Sequence, residues 1–232
     1  ESAYDLDTDR LIQDFAKIVR HNGGQILTNA NVDEIKFQNN RWSVRCGAEI
    51  HTSNTLINAA GAWADRVANL AGITPVGIMP LRRSMAQTPA PLGHEISKWP
   101  IFFGVGEAWY AKPEAGKLLI SPADETLVDP HDAYADDMII AEGIDRFQQH
   151  VTHEVTRVET TWAGLRSFAP DRTLVLGRDP INPNFIWCAG QGGYGFQTAP
   201  AASQLVADIT CGHRSDLPIA IIVALSPERF KK

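Results

Sequence analysis

Four glycines within six residues, Gly190-Gln191-Gly192-Gly193-Tyr194-Gly195, are the sharpest chemical signal in this chain. They follow the apolar run Phe185-Ile186-Trp187-Cys188-Ala189 and precede a helical pattern beginning near Thr198, so they sit at a strand-to-helix junction. Glycine lets backbone come close to a ligand, and the free amides of a helix start favour an anionic or polar acceptor. A tight turn alone needs one glycine, not four. The spacing also satisfies G-x-G-x-x-G, but a pyrophosphate loop needs a βαβ continuation of about 30 residues with an acidic strand end about 20 residues on. Asp216 stands near that spacing but follows a Gly-His-Arg-Ser loop. A nicotinamide-dependent enzyme is therefore disfavoured.

Three further constellations could carry chemistry. In Asn58-Ala59-Ala60-Gly61-Ala62-Trp63-Ala64-Asp65 a strand ends in small residues and a helix starts at once, leaving a crevice for a ligand or simply close packing. In Thr161-Trp162-Ala163-Gly164-Leu165-Arg166-Ser167-Phe168-Ala169-Pro170-Asp171 an arginine lies among apolar residues, where a guanidinium wants a carboxylate or phosphate. An internal pair with Asp171 is the structural alternative. Leu81-Arg82-Arg83-Ser84 places two arginines in a charge-poor stretch, and on spacing alone reads as a solvated turn. No metal site is expected. Cys46, Cys188 and Cys211 form no C-x-x-C pair, and His150 and His153, which could share a helix face, have no accompanying ligand set.

These groups must be positioned by a mixture of helices and strands. Asp7 or Thr8 caps an opening helix with Leu11, Ile12, Phe15, Ile18 and Val19 at helical spacing, ended by Gly23-Gly24. Residues 25–28 and 32–37 read as strands, Gln38-Asn39-Asn40 as a turn, and residues 41–46 as the next strand. Residues 55–58 form a short buried strand, followed by a helix over residues 62–71. Residues 75–122, rich in proline and glycine with short aromatic runs, read as antiparallel strands and loops. Residues 136–152 read as helical, residues 184–189 as a strand, and residues 198–211 as a helix.

The composition is that of an ordinary globular protein of one large domain or two small ones, with 232 residues, 44% hydrophobic and 21% charged. Lys plus Arg number 21 against 27 Asp plus Glu, a net charge of −6, which argues against a nucleic-acid partner. No stretch reaches the roughly 18 apolar residues of a membrane span, and no basic segment leads into an apolar core. A cytoplasmic location, with peripheral membrane association still open, is the expectation.

Together the four constellations resemble the D-amino-acid oxidase-like family of FAD-dependent oxidoreductases, which includes glycine and sarcosine oxidases. The family pattern stands at residues 58–72, at Gly164-Leu165-Arg166 with Pro170-Asp171, at residues 190–200, and at Ser226-Pro227-Glu228-Arg229-Phe230. Arg82-Arg83-Ser84, residues 109–116, 161–168 and 191–197 look most like bacterial D-arginine dehydrogenases. The resemblance implies an α/β fold of mixed α+β character. A partial FAD-binding domain of the glutathione-reductase-like type (residues 1–76 and 164–232) would flank an antiparallel-sheet substrate domain (residues 77–163).

The resemblance also implies roles. Arg166 would pair with a substrate carboxylate, assisted by Arg83 and the Tyr110 hydroxyl, and Gly193 would offer its backbone to the substrate amine. Gly164, Gln191, Gly192, Gly193, Tyr194, Gly195, Gln197 and Thr198 would lie along the flavin; Ala59, Gly61 and Trp63 would line the cofactor crevice, and Val32 would meet the adenine. The implied cofactor is FAD, and the implied reaction is oxidation of a D-amino acid to its imino acid by hydride transfer to flavin N5. Hydrolysis then yields the 2-oxo acid and ammonia. A glycine- or sarcosine-type amine oxidase and a truncated domain binding no flavin are the alternatives. The family's opening strand, G-x-G-x-x-G turn and helix have no counterpart ahead of Asn58. The expectation is therefore the C-terminal part of a longer enzyme, weak in FAD binding alone and prone to self-association through exposed edges.

Overall fold

The computed structural model describes residues 5–231. Helix α1 (Thr8–His21) is capped by Asp7, whose carboxylate accepts from the Arg10 amide at 3.0 Å. Its apolar residues recur at helical spacing, yet none is buried; Phe15 is 58% exposed. Residues 25–28 do not form the expected strand. Ile26 and Leu27 are exposed, and among the described residues no neighbouring strand takes their backbone groups. A strand needs a partner for its amides and carbonyls, whatever its propensity.

A three-stranded antiparallel meander follows, β1 (Glu34–Gln38), β2 (Arg41–Cys46) and β3 (Glu49–Ser53). Asn39 and Asn40, both at positive φ, make the two-residue turn whose twist matches the strands. β3, Glu-Ile-His-Thr-Ser, has one strongly apolar residue and left no legible strand pattern. Trp42 is fully buried, and its Nε1 donates to the Asn184 carbonyl at 3.0 Å, tying the meander to a segment 142 positions on.

β4 (Leu56–Asn58) leads through a single 3-10 turn, Gly61–Trp63, into α2 (Ala64–Leu70). The buried Asn58 side chain donates to the Ala64 carbonyl at 2.8 Å and accepts from the Ala60 amide at 3.3 Å, fixing this junction. Asp65 accepts from the amides of Val76, Gly77 and Ile78, anchoring the entry into the next strand. Burial pushes its carboxyl pKa up in spite of those three amides, which pull it down.

The middle of the chain is one antiparallel sheet. Its strands are β5 (Met79–Pro89), β6 (Phe102–Phe103), β7 (Tyr110–Glu114), β8 (Lys117–Ser121), β9 (Thr126–Leu127) and, after α3 (Asp137–Gln148), β10 (Thr160–Phe168). The order is β10-β5-β8-β7-β6, with β9 paired to β5. α3 is capped by Asp136 and packs Phe147 and Ile144 over Leu118, Ile120, Ala111 and Trp109, with Ile140 also buried. It ends at Gln148, so His150 and His153 share no helix face; the His150 ring bonds the Arg146 carbonyl instead. The register sets Gly164 opposite Arg83, Arg166 opposite Leu81, and Tyr110 opposite Ser121. Side-chain alternation then turns Arg83, Tyr110, Gly164 and Arg166 to the face away from α3. The position 163/164, taken from the resemblance as a domain boundary, falls inside β10, and the chain leaves the long sheet at Phe168.

β11 (Val175–Arg178) pairs antiparallel with β12 (Phe185–Ala189), and β12 pairs parallel with β4. Trp187 and Phe185 pack on the main core with Ala64, Ala68 and Trp42. On the opposite face Leu176 and Ile186 meet Leu205 and Val206 of α4 (Gly195–Cys211) and Leu225 of α5 (Ile219–Leu225). α4 begins at Gly195, three residues before the expected start. The described residues thus form a mixed α/β architecture of three sheets, two of them antiparallel and the third, β11-β12-β4, holding the one parallel pair.

Candidate active site

Both strand-to-helix junctions converge on the end of β10. The Gly192 amide donates to the Ser167 carbonyl at 2.8 Å, and a Cβ on Gly61 would lie 3.9 Å from the Ser167 hydroxyl. Gly192 has φ +53°, and a Cβ there would lie 2.5 Å from the Phe168 ring. At Gly193 a Cβ would come within 2.9 Å of the Arg166 Nη1. Gly192 and Gly193 thus make room for the Phe168 and Arg166 side chains, and the Arg166 guanidinium lies against the turn itself.

The N-terminus of α4 has no side-chain cap. The amides of Gly193, Gly195, Phe196 and Gln197 have no hydrogen-bond partner among the described residues. A seventeen-residue helix therefore presents uncompensated donors and the positive end of its dipole beside Arg166.

Arg166 is half-buried and makes no hydrogen bond or ion pair among the described residues. Burial, and next the positive charge of Arg83, push its pKa down from the ordinary value, while Tyr110, Glu125 and Asp124 push it up. Asp171 is not its partner: that carboxylate pairs with Arg229 at 2.7 Å. Arg82 and Arg83 lie within β5, not on a solvated turn, and alternation sends them to opposite faces. Arg82 turns toward Asp124 (3.5 Å) and Asp136 (3.9 Å). Arg83 donates from Nε to the Asp124 carbonyl at 2.8 Å and from Nη2 to Glu125 at 3.2 Å, and lies 5.8 Å from the Tyr110 ring centroid. The Tyr110 hydroxyl has no partner among the described residues.

The structure thus gathers Arg83, Tyr110, Gly164, Arg166 and Gly193 around one open face. Gly164 meets nothing within 4 Å where a side chain would stand, which keeps that face clear. At the first junction Gly61 stands beside Ser167 of β10, and Ala59 and Trp63 on either side of it are exposed. Several other expected residues are engaged with protein. Gln191 reaches Cys188 Sγ at 3.7 Å, the Tyr194 hydroxyl donates to the Arg172 carbonyl, and Thr198 Oγ1 turns back to the Tyr194 carbonyl at 2.9 Å. Gln197 is exposed on the first turn of α4, and Val32 packs on the main core ahead of β1. A hollow of about 690 Å³ lined by His94, Trp99, Phe102, Phe147 and His153 lies behind the sheet, on the α3 side, and none of the site residues lines it.

Sequence reasoning missed Asp124, Glu125 and Arg172. Their signal was the acidic pair Asp124-Glu125, but the arginine it serves is about forty positions away in the chain, so only the fold connects them. No cluster of three metal-ligating side chains occurs among the described residues, and no helix there is long and apolar enough to cross a membrane.

A family model described as "FAD dependent oxidoreductase" (DAO) matches residues 1–209. The chain is similar to FAD-dependent oxidoreductase domain-containing protein 1 of Bos taurus, 28% identical over 175 residues, covering 68% of this chain and 36% of that protein. It is also similar to hydrogen cyanide synthase subunit HcnC of Pseudomonas aeruginosa, 25% identical over 218 residues, covering 91% and 50%. The chain thus spans between about a third and a half of these relatives. Its fold is that of L-proline dehydrogenase from P. horikoshii (TM-score 0.79, 23% identity, 97% of this chain and 60% of that one). Glycine oxidase from Geobacillus kaustophilus shares it too (TM-score 0.75, 20% identity, 93% and 56%).

Proposed function

The chain belongs to the FAD-dependent oxidoreductase (DAO) family, and from that membership we propose that the whole enzyme oxidises a D-amino acid at its Cα–N bond. The observation that carries the proposal is Arg166: a half-buried guanidinium without a protein partner among the described residues, beside an uncapped helix and on one face with Arg83 and Tyr110. The D configuration rests on the likeness to bacterial D-arginine dehydrogenases. Glycine, sarcosine or proline would present the same carboxylate to the same arginine.

The residues fit FAD at one end of the ligand. Four unpartnered amides at the start of α4 suit the electron-rich pyrimidine edge of a flavin, and Gly61, with φ +54°, leaves its side of the crevice without a side chain. Ala59, Gly61, Trp63, Gly164, Gln191, Gly192, Gly193, Tyr194, Gly195, Gln197 and Thr198 would border the cofactor, and Val32 would meet its adenine. When bound, FAD supplies the acceptor for the two electrons and hydrogen that leave the substrate Cα.

The protein's own work is orientation. Arg166 would hold the carboxylate with two parallel hydrogen bonds, a geometry that its planar fork allows and an ammonium does not. The Tyr110 hydroxyl would donate to the same carboxylate, and Arg83 would add charge. The Gly193 carbonyl would accept from the amine, aligning the Cα hydrogen, and a fixed geometry of this kind lowers the entropic part of the barrier. The imino acid product hydrolyses to the 2-oxo acid and ammonia. The experiment is anaerobic mixing of the FAD-loaded enzyme with D- and L-amino acids, glycine, sarcosine and proline. Bleaching of the flavin band fastest with a D-amino acid is expected. Bleaching only by L-proline or by glycine would move the substrate assignment, and bleaching by none would remove it.

A further inference from the structure

We propose that Glu125 is a positioning residue of this site: it holds the Arg83 guanidinium beside Arg166 and links it to the glycine turn. The inference deepens the amino-acid reading above and rests on it. Two guanidiniums on one sheet face repel each other, and Arg83 disfavours the charge on Arg166 while Glu125 favours it. Glu125 Oε1 accepts from Arg83 Nη2 at 3.2 Å and from Arg172 Nη2 at 2.9 Å, and Oε2 accepts from Arg172 at 3.1 Å. The Arg83 Nε is fixed on the Asp124 carbonyl at 2.8 Å, so two of its three nitrogens are tethered by adjacent residues. Nη1 keeps no partner among the described residues and is available to a substrate carboxylate.

The other arm of Glu125 reaches the cofactor side. The Arg172 guanidinium lies 3.9 Å over the Phe168 ring, which closes on Gly192, and its carbonyl receives the Tyr194 hydroxyl. One carboxylate therefore joins the strand that carries Arg83 to the turn that carries Gly193. Its three arginine neighbours, Arg172 first, hold its pKa below the usual carboxylate range, so it stays charged at neutral pH.

The test uses the FAD-loaded enzyme with Glu125→Ala, Glu125→Gln, Arg83→Ala and the Glu125→Ala/Arg83→Ala double variant. Glu125→Ala should raise KM for the best amino acid about tenfold while kcat changes less than about threefold, and should add nothing once Arg83 is gone, as contacting residues in one network do. Glu125→Gln, which keeps an acceptor but no charge, should fall between. An unchanged KM, a collapse of kcat alone, or effects that add in the double variant would overturn the proposal. A second readout needs no substrate: hydrogen exchange at the Arg83 Nη2–H, the group that Glu125 accepts from, followed by NMR, should accelerate about tenfold or more in Glu125→Ala, the range of a broken charged hydrogen bond. If no amino acid reduces the flavin, the substrate reading fails, and this exchange rate still decides the role of Glu125. An unchanged rate would overturn it.

Discussion

Arg229, in the 3-10 turn Pro227–Phe230, commits every guanidinium nitrogen to protein. It donates to both oxygens of Asp171 and to the carbonyls of Leu225, Ser226, Thr173 and Leu174. Arg166, on the last residues of β10, commits none among the described residues, although it is half-buried. Both stand in segments that the family resemblance singles out. A saturated guanidinium closes a joint, here between β10's exit and the chain's final turn, whereas an unsaturated one beside free amides is prepared for an anion from outside. Local sequence does not separate them, because Asp171 lies nearer in sequence to Arg166 than to Arg229.

The comparison breaks most readily at Arg166. Arg166→Ala should lower kcat/KM for the amino acid by the equivalent of about 2–5 kcal/mol while leaving fold and flavin content intact, and Arg166→Lys should recover only part of the loss. Steady-state kinetics beside the flavin spectrum measure this; a damaged fold with normal affinity would make Arg166 a structural residue like Arg229. Arg229→Ala should do the opposite. It strands several carbonyls and one carboxylate, and should cost roughly 2–4 kcal/mol of stability. The thermal midpoint should fall, with KM of the surviving protein unchanged.

Adjacent glycines sharpen the contrast. Gly192→Ala meets a buried aromatic ring from a left-handed backbone, so it should destabilise by about 1–3 kcal/mol, measured by denaturant unfolding. Gly193→Ala meets only the mobile end of Arg166, so it should spare stability and raise KM by displacing the guanidinium. Equal stability losses at the two positions would dissolve the distinction. The smallest effect is in acid. Arg229 holds the Asp171 carboxyl below its ordinary range, so its stabilisation is complete above the usual Asp pKa of about 3.9 and is lost as pH falls through the folded-state value. Asp171→Asn should flatten the decline of the thermal midpoint below about pH 4.

Much of this was legible without coordinates. The Asp7 cap, the Asn39-Asn40 turn, the antiparallel middle and the glycine junction are set by neighbours a few positions apart, where propensity and spacing act directly. Residues 25–28 misled because apolar β-formers become a strand only beside another strand, and Arg82-Arg83 misled because two charges look solvated until the burial of a strand is known. β3 was silent for want of alternation.

The sequence by itself determined which groups were available: an arginine in an apolar strand, glycines without side chains, a helix start without a cap. The tertiary structure alone decided which of them remain unpaired. Hydrogen-bond satisfaction is a property of three-dimensional neighbours: Arg229 reaches Asp171 across 58 positions, and Arg83 reaches Asp124 across 41. Arg166 ends with no such neighbour among the described residues, because the register of β10 against β5 turns it to the face that α3 does not cover.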